Sequence, residues 1–270
     1  MCGRYTLTVD QEALSAALGV EVLLSEHPSP RYNVAPTQEA PVLVGGPVGG
    51  EVRRLRWGLV PSWADEPSKG ARLINARSET VATKPSFREA FRSGRCLVPA
   101  DGFYEWVTAQ RDGPGAAGKI PWWIHAPDRR VLTLAGLHAR WAPAGGGPAL
   151  ETFTILTCDA VGEIARLHDR MPVVVPSELR GVWMQGGGPG GPGSAGGPGP
   201  AGGGGEGDTA PEVDMGRLLD GARRAGGALR AHPVSRRVNR PGPDDPALVE
   251  KVDPAGDARS APPVQTSLFD

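Results

Sequence analysis

The second residue of the chain is a cysteine, and this position gives it chemistry that an internal cysteine lacks. An initiator methionine is normally removed when the next side chain is small, so processing would leave Cys2 with a thiol and a free α-amine. The amine has a pKa of about 8 and the thiol about 8.5, so both have nucleophilic fractions at neutral pH. An aldehyde can condense with the amine and then be attacked by the thiol, which closes a thiazolidine ring. The alternative is that Cys2 lies by chance in a frayed terminus.

A Cys, a Glu and a His from distant segments would suit covalent chemistry on a carbonyl group. Glu105 lies among three aromatic residues, where desolvation can raise its pKa and make it a proton donor. His168 can exchange protons near neutral pH. Asn75 opens a polar string between two apolar residues. Each also has a structural interpretation: Glu105 on the polar face of a strand, His168 at a helix end and Asn75 in a turn.

Composition limits the class of protein. The 270 residues carry 29 Lys and Arg against 30 Asp and Glu, a formal net charge of -1. No run approaches the roughly 20 apolar residues of a membrane span, and the first residues lack the pattern of a secretory signal. Three cysteines are too few for a disulfide framework, and Cys96 and Cys158 are expected to be buried and inert. We expect a monomer in the cytoplasm, associated with the nucleoid and not with a membrane.

Only four of the 29 basic residues are lysines. Arginine is the better bidentate ligand for phosphate, and eight arginines lie between residues 53 and 95. This density allows a basic groove for nucleic acid. A solvated basic face, in a protein from a genome rich in arginine codons, is the other interpretation. The histidines and cysteines lack the spacing of metal ligands, so we expect no metal and no cofactor.

Short apolar runs between Gly and Pro turns predict many strands and few helices. Helical spacing marks residues 11–18, with Asp10 as the N-cap, residues 86–92, with Ser86 as the cap, and residues 213–225. This order favours antiparallel sheets with peripheral helices. The runs that predict strands are 40–44, 52–57, 95–98, 103–107, 121–125, 131–137, 152–157 and 228–234.

The Gly and Pro content divides the chain. Residues 2–184 form the first part of a domain, and residues 185–211 are an insertion of nearly pure Gly and Pro that we expect to be disordered. Residues 212–240 complete the domain with a last helix and strand. Residues 241–270 are expected to be a disordered C-terminal tail.

Six ordered motifs together resemble the SOS response-associated peptidase (SRAP) family, whose members crosslink to abasic sites in DNA. They lie at residues 1–5, 31–37, 56–63, 75–80, 95–106 and 168–172, and the strings 233–235 and 238–239 also fit. The resemblance implies an α+β fold with an antiparallel, barrel-like β-sheet core and peripheral helices. It covers residues 2 to about 240 and is interrupted by the insertion.

The resemblance also implies roles for individual residues. Cys2 would form the crosslink, and Asn75 would position the sugar and the Cys2 backbone. Glu105 would act as acid and base at the amine, and His168 would assist opening of the sugar ring. The residues that would bind single-stranded DNA are the phosphate ligands Arg4, Arg77 and Arg170 and the groove residues Asn33, Pro36, Trp57 and Trp63.

The implied function is capture of an abasic deoxyribose as a thiazolidine, which removes the aldehyde and so blocks strand scission. Self-reversal and lyase activity would follow from the same chemistry. Two other functions stay open. An N-terminal cysteine with Glu and His could be a thiol peptidase, or the chain could be a non-catalytic module that binds DNA or tethers to a clamp.

The last six residues resemble the peptide that binds the bacterial sliding clamp. Gln265 would lead the peptide, and Leu268 and Phe269 would anchor in an apolar pocket. Such short patterns also arise by chance, or the tail could pack on its own domain.

Overall fold

The computed structural model describes residues 2–23, 29–46, 50–108, 118–185 and 213–253, and most of its regular structure is β-strand. In this part of the chain the strands are β1 (Tyr5–Leu7), β2 (Arg31–Val34), β3 (Glu39–Val44), β4 (Glu51–Trp57), β5 (Asn75–Arg77), β6 (Arg95–Ala100), β7 (Gly102–Thr108), β8 (Lys119–His125), β9 (Leu132–Trp141), β10 (Leu150–Asp159), β11 (Arg170–Pro172) and β12 (Arg230–Pro233). The α-helices are α1 (Gln11–Leu18), α2 (Arg88–Ser93), α3 (Arg180–Met184) and α4 (Met215–Gly227). Short 3-10 helices cover Pro67–Arg72, Ile164–Arg166, Ser177–Leu179, Arg236–Asn239 and Pro246–Val249.

Five strands close into a barrel. Strand β10 pairs with β4, the order continues through β3 and β6 to β9, and β9 pairs back with β10. Closure removes the free edges at which a sheet can pair with another chain. The expected α+β fold with a barrel-like core is therefore confirmed, although β10 runs parallel to β4 and β5 rather than antiparallel.

The second sheet has the order β12-β8-β7-β1-β2 and is antiparallel throughout. Strand β1 lies inside this sheet, so the start of the chain runs along β7. A Cβ atom at Gly102 would lie 2.3 Å from the indole nitrogen of Trp123, which explains the glycine at the start of β7. The register of β1 on β7 decides which β7 residues lie near the chain start.

The predicted helices differ from the observed ones in their details. Asp10 caps α1 as expected, since its carboxylate accepts a hydrogen bond from the backbone nitrogen of Ala13 at 2.8 Å. The expected cap by Ser86 is wrong: α2 has Phe87 at its N-cap, without a side-chain hydrogen bond, and this ring is buried in the core. The longest helix in the described ranges has 13 residues, and among those helices none could span a bilayer.

Residues 241–253 do not behave as the disordered tail that we expected. Leu248 is fully buried against Tyr104, Trp123 and Val238, and Asp244 accepts a hydrogen bond from Arg31 Nε at 2.7 Å. A buried leucine and several polar contacts therefore hold this polar, proline-rich segment on the domain. All of the expected insertion at residues 185–211 except Gln185 lies outside the described residues, as does the candidate clamp peptide with Gln265, Leu268 and Phe269.

Candidate active site

The chain start lies beside Glu105 because of the register of two strands. Tyr5 pairs with Phe103, and the backbone nitrogen of Tyr104 donates to the carbonyl oxygen of Arg4 at 3.0 Å. Continuing this antiparallel register brings Cys2 next to the part of β7 that carries Glu105. Cys2 is fully buried there, and its thiol lies 3.8 Å from the carbonyl oxygen of Arg4.

Asn75 reaches the same place from the barrel. It begins β5, which lies parallel to β10, and its Nδ2 donates to the carbonyl oxygen of Cys2 at 2.8 Å. The Oδ1 atom of Asn75 is buried and accepts no hydrogen bond from any residue in the described ranges. A buried amide oxygen without a donor is costly, so Asn75 has an acceptor to offer beside the Cys2 backbone.

The Cys2 thiol is held in its protonated form. Burial raises its pKa well above the ordinary value, and the negative charge of Glu105 raises it further. The sulfur is therefore not a resting thiolate. Any reaction in which it forms a bond needs a nearby group that accepts its proton.

Glu105 is suited to exchange protons. Its side chain is buried, and burial raises its pKa above the ordinary value, while the neighbouring His168 acts in the opposite direction. The carboxyl group lines a cavity of about 370 Å³, whose other lining residues are Trp106, Lys119, His168 and Asn239. The cavity thus combines a proton-exchanging carboxyl with an imidazole.

Two groups approach the Nδ1 atom of the His168 imidazole from opposite sides of the hydrogen-bond chemistry. The backbone nitrogen of Arg170, which can only donate, lies 2.9 Å from it. The Asp169 carboxylate lies 2.7 Å from the same Nδ1 and would accept a hydrogen bond from the protonated ring. One backbone donor and one carboxylate acceptor thus hold the ring at the edge of the cavity.

Arg170 is occupied by protein groups. Its guanidinium binds both carboxylate oxygens of Glu79 at 2.8 and 2.9 Å and also contacts Asp159 and the carbonyl oxygen of Thr157. Its side chain is only 9 % exposed. Because its guanidinium is engaged in this way, the structure does not support Arg170 as the phosphate ligand that we expected. Instead, Arg170 ties the segment after Asn75 to the segment after His168.

Arg4 and Asn33 also serve the fold. Arg4 donates to Asn33 Oδ1 at 2.7 Å and to the carbonyl oxygen of Val238 at 2.8 Å. Asn33 is buried, and its amide nitrogen donates to the carbonyl oxygens of Arg240 and Pro243. These contacts hold residues 238–243 against the cavity. The DNA contacts expected of Arg4 and Asn33 stay predictions.

The remaining expected DNA ligands separate into buried and accessible residues. Trp57 is fully buried and donates to the carbonyl oxygen of Ile74, so it cannot stack on a base. Trp63 is 57 % exposed and lines a cavity of about 430 Å³ with Lys69 and Arg72. Arg77 is exposed on β5, two residues after Asn75, and Pro36 is half-buried. The accessible set comprises Trp63 and Arg77.

Three cavity residues, Trp106, Lys119 and Asn239, were not among the predicted site residues. Lys119 begins β8, and Asn239 ends a short 3-10 helix; neither stands in a pattern typical of catalysis. The only signal for Asn239 was its place in a matching motif, Val238–Asn239, to which we gave no role. Their position depends on the β7–β8 hairpin and on the packing of the C-terminal segment.

Comparison of this sequence with known proteins matches it to one protein family. The sequence model described as "SOS response associated peptidase (SRAP)" matches residues 1–190. The chain is 38 % identical over 187 residues to the abasic site processing protein YoqW of Bacillus subtilis, covering 68 % of this chain and 80 % of that protein. It is 33 % identical over 218 residues to the abasic site processing protein HMCES of Gallus gallus, covering 66 % of this chain and 63 % of the relative.

Solved structures share the fold. A protein from Bacteroides thetaiotaomicron superposes with a TM-score of 0.67 at 23 % identity and covers 93 % of this chain and all of its own. A phage-related protein from Bordetella bronchiseptica gives a TM-score of 0.57 at 28 % identity, with 86 % of this chain and 94 % of that chain covered. The architecture is therefore shared along nearly the whole length of both neighbours.

Proposed function

The chain belongs to the SOS response associated peptidase (SRAP) family, and from this premise we propose that it captures abasic sites in single-stranded DNA through Cys2. The observation that carries the proposal is the meeting of Cys2 with Asn75 and Glu105, two residues far away in sequence, beside a cavity that also holds His168. Relatives named for abasic site processing support the choice of substrate.

The proposed reaction begins with the free α-amine of processed Cys2. Its nitrogen attacks the aldehyde carbon of the ring-opened deoxyribose, and the aldehyde oxygen leaves as water to give an imine. The Cys2 sulfur then bonds to the same carbon while its proton goes to the imine nitrogen. The product is a thiazolidine plus one water, with no change of oxidation state. Removal of Met1 is required, since that residue occupies the amine.

Proton transfer is assigned to Glu105. Because the Cys2 thiol is held protonated, its proton must be accepted as the carbon–sulfur bond forms. The buried Glu105 carboxyl, whose raised pKa brings it nearer to neutral pH, can accept that proton and return it. In the reverse direction the same group would protonate the adduct and release DNA.

Asn75 and His168 are assigned to orientation and ring opening. The Asn75 amide holds the Cys2 carbonyl oxygen through Nδ2, and its unoccupied Oδ1 can accept a hydrogen bond from the freed amine. His168 lines the same cavity and, in its imidazolium form, can give a proton to the ring oxygen of the closed sugar.

DNA contacts are assigned to the two exposed residues of the expected set, Arg77 and Trp63. Arg77 can pair with a phosphate, and Trp63 can stack on a base beside the basic cavity that it lines. A thiol peptidase is less well supported, because the relatives compared above are named for abasic site processing. A non-catalytic binding module would leave the polar cluster at Cys2 without use.

One experiment separates these functions. The chain with Met1 removed, as verified by intact mass, is incubated with an oligonucleotide whose single uracil has been excised by uracil glycosylase. We expect a denaturation-resistant adduct of one chain per strand that is absent for Cys2→Ala. Peptide cleavage without an adduct would favour the peptidase, and salt-sensitive binding without an adduct would favour the module. Either result would overturn the proposal.

A further inference from the structure

Asn239 lines the same cavity as Glu105 and His168, from the C-terminal segment. Its Oδ1 accepts a hydrogen bond from the indole nitrogen of Trp106 at 2.7 Å. Trp106 directly follows Glu105 on β7, so the contact ties the Asn239 side chain to the strand that carries the proposed acid and base.

The Trp106 contact fixes which way the Asn239 amide faces. An indole N–H can only donate, so the oxygen of the amide must face Trp106, and the NH₂ group must face away from it. This Nδ2 donates no hydrogen bond to any residue in the described part of the chain. A primary amide with its acceptor engaged and its donors available is suited to bind an oxygen atom of a ligand.

The backbone around Asn239 is held in place before any ligand arrives. Arg4 donates to the carbonyl oxygen of Val238 at 2.8 Å and lies 3.5 Å from that of Asn239. Asn33 holds the carbonyl oxygens of Arg240 and Pro243, and Val238 is fully buried. The Asn239 donor is therefore part of a rigid wall, as a binding residue requires.

From this geometry we propose that Asn239 is a DNA-binding residue, whose Nδ2 donates a hydrogen bond to a phosphate oxygen of the abasic nucleotide. The inference rests on the proposed function. Phosphate is favoured over a sugar hydroxyl because the cationic residue Lys119 also lines the cavity, and a cation with an amide donor suits an anionic oxygen. Glu105 and His168 are left to act on the sugar.

The test measures the rate of crosslinking at increasing concentrations of abasic DNA, under single-turnover conditions, for Asn239→Asp and Asn239→Ala. In Asn239→Asp the new carboxylate would still accept the Trp106 hydrogen bond. This variant therefore keeps the local structure but replaces the amide donor with a negative charge. We expect the half-saturating DNA concentration to rise about tenfold or more for Asn239→Asp and severalfold for Asn239→Ala, with the maximal rate little changed.

The matched control is Ala144→Asp, which adds the same charge in the exposed turn between β9 and β10 and should leave the curve unchanged. If the parent crosslinks and Asn239→Asp matches it, the inference on Asn239 fails while the proposed function stands. An Asn239→Asp variant that keeps its DNA concentration dependence but loses maximal rate would also overturn the phosphate contact. If the parent forms no adduct, the proposed function itself fails.

Discussion

The side-chain amide of Asn75 donates a hydrogen bond to the backbone carbonyl oxygen of Cys2 across 2.8 Å, joining residues that are 73 positions apart. Asn75 belongs to a strand that lies on the barrel, whereas Cys2 precedes a strand of the other sheet. The position of the Cys2 backbone is therefore set by both sheets at once. Since a reacting amine needs a fixed approach to its carbonyl, this contact should matter for rate.

Replacement of Asn75 by Ala should slow adduct formation by about tenfold or more, because the hydrogen bond that orients Cys2 is lost. Asn75→Asp keeps the size of the side chain and an oxygen acceptor but removes the donor, so it should be slow as well. Pre-steady-state gel assays give the rates. Parent-like rates for both variants, with unchanged melting temperatures, would remove Asn75 from the site.

The Cys2 amine and thiol make separable contributions. Insertion of one Gly between Met1 and Cys2 should abolish the adduct, because the Cys2 nitrogen becomes an amide. In contrast, Cys2→Ser keeps a free amine but loses the sulfur, so it should form an imine that borohydride reduction traps on DNA and that hydrolyses without reduction. A stable adduct of the inserted variant, seen by intact mass, would contradict the role of the amine.

Glu105→Gln should slow release of DNA from a preformed adduct more than it weakens DNA binding, because the amide cannot donate the carboxyl proton. Burial raises the Glu105 pKa, so its protonated form is present below that pKa and is lost as the pH rises through it. Release by the parent should therefore be faster at acid pH and slow as the pH rises. Chase experiments with excess abasic DNA should show this dependence in the parent and a flat profile in Glu105→Gln.

The residue types at the site could be predicted from the sequence, but their partners could not. Cys2, Glu105 and His168 carry reactive groups that are evident from residue type and position. The engagement of Arg170 by Glu79 and Asp159 depends on how β5, β10 and β11 assemble, and no local pattern encodes it. For that reason a side chain that looked like a phosphate ligand is held by the protein's own carboxylates.

The polar, proline-rich composition of residues 241–253 did not predict that this segment packs on the domain. Leu248→Ala should destabilise the protein by about 2–4 kcal/mol, because it removes a fully buried side chain that packs on Tyr104 and Trp123. Leu23, which is 75 % exposed, provides the matched control, and Leu23→Ala should change stability by less than about 0.5 kcal/mol. Urea unfolding measures both. Equal, small effects would show that residues 241–253 contribute little to the fold.

Trp57 and Trp63 lie six positions apart in one motif, and the sequence could not tell which of them faces DNA. Their burial separates them: Trp57 packs against Tyr5 and Phe153 in the core, while Trp63 is exposed beside Lys69 and Arg72.

Trp57→Ala should lower the free energy of unfolding by about 3–5 kcal/mol. Trp63→Ala should leave stability nearly unchanged and weaken binding of single-stranded DNA by about 1–3 kcal/mol, because a base loses its stacking partner. Fluorescence anisotropy at fixed salt, with Cys2→Ala to prevent crosslinking, measures binding alone. Undiminished affinity of the Trp63 variant would place the strand elsewhere on the surface.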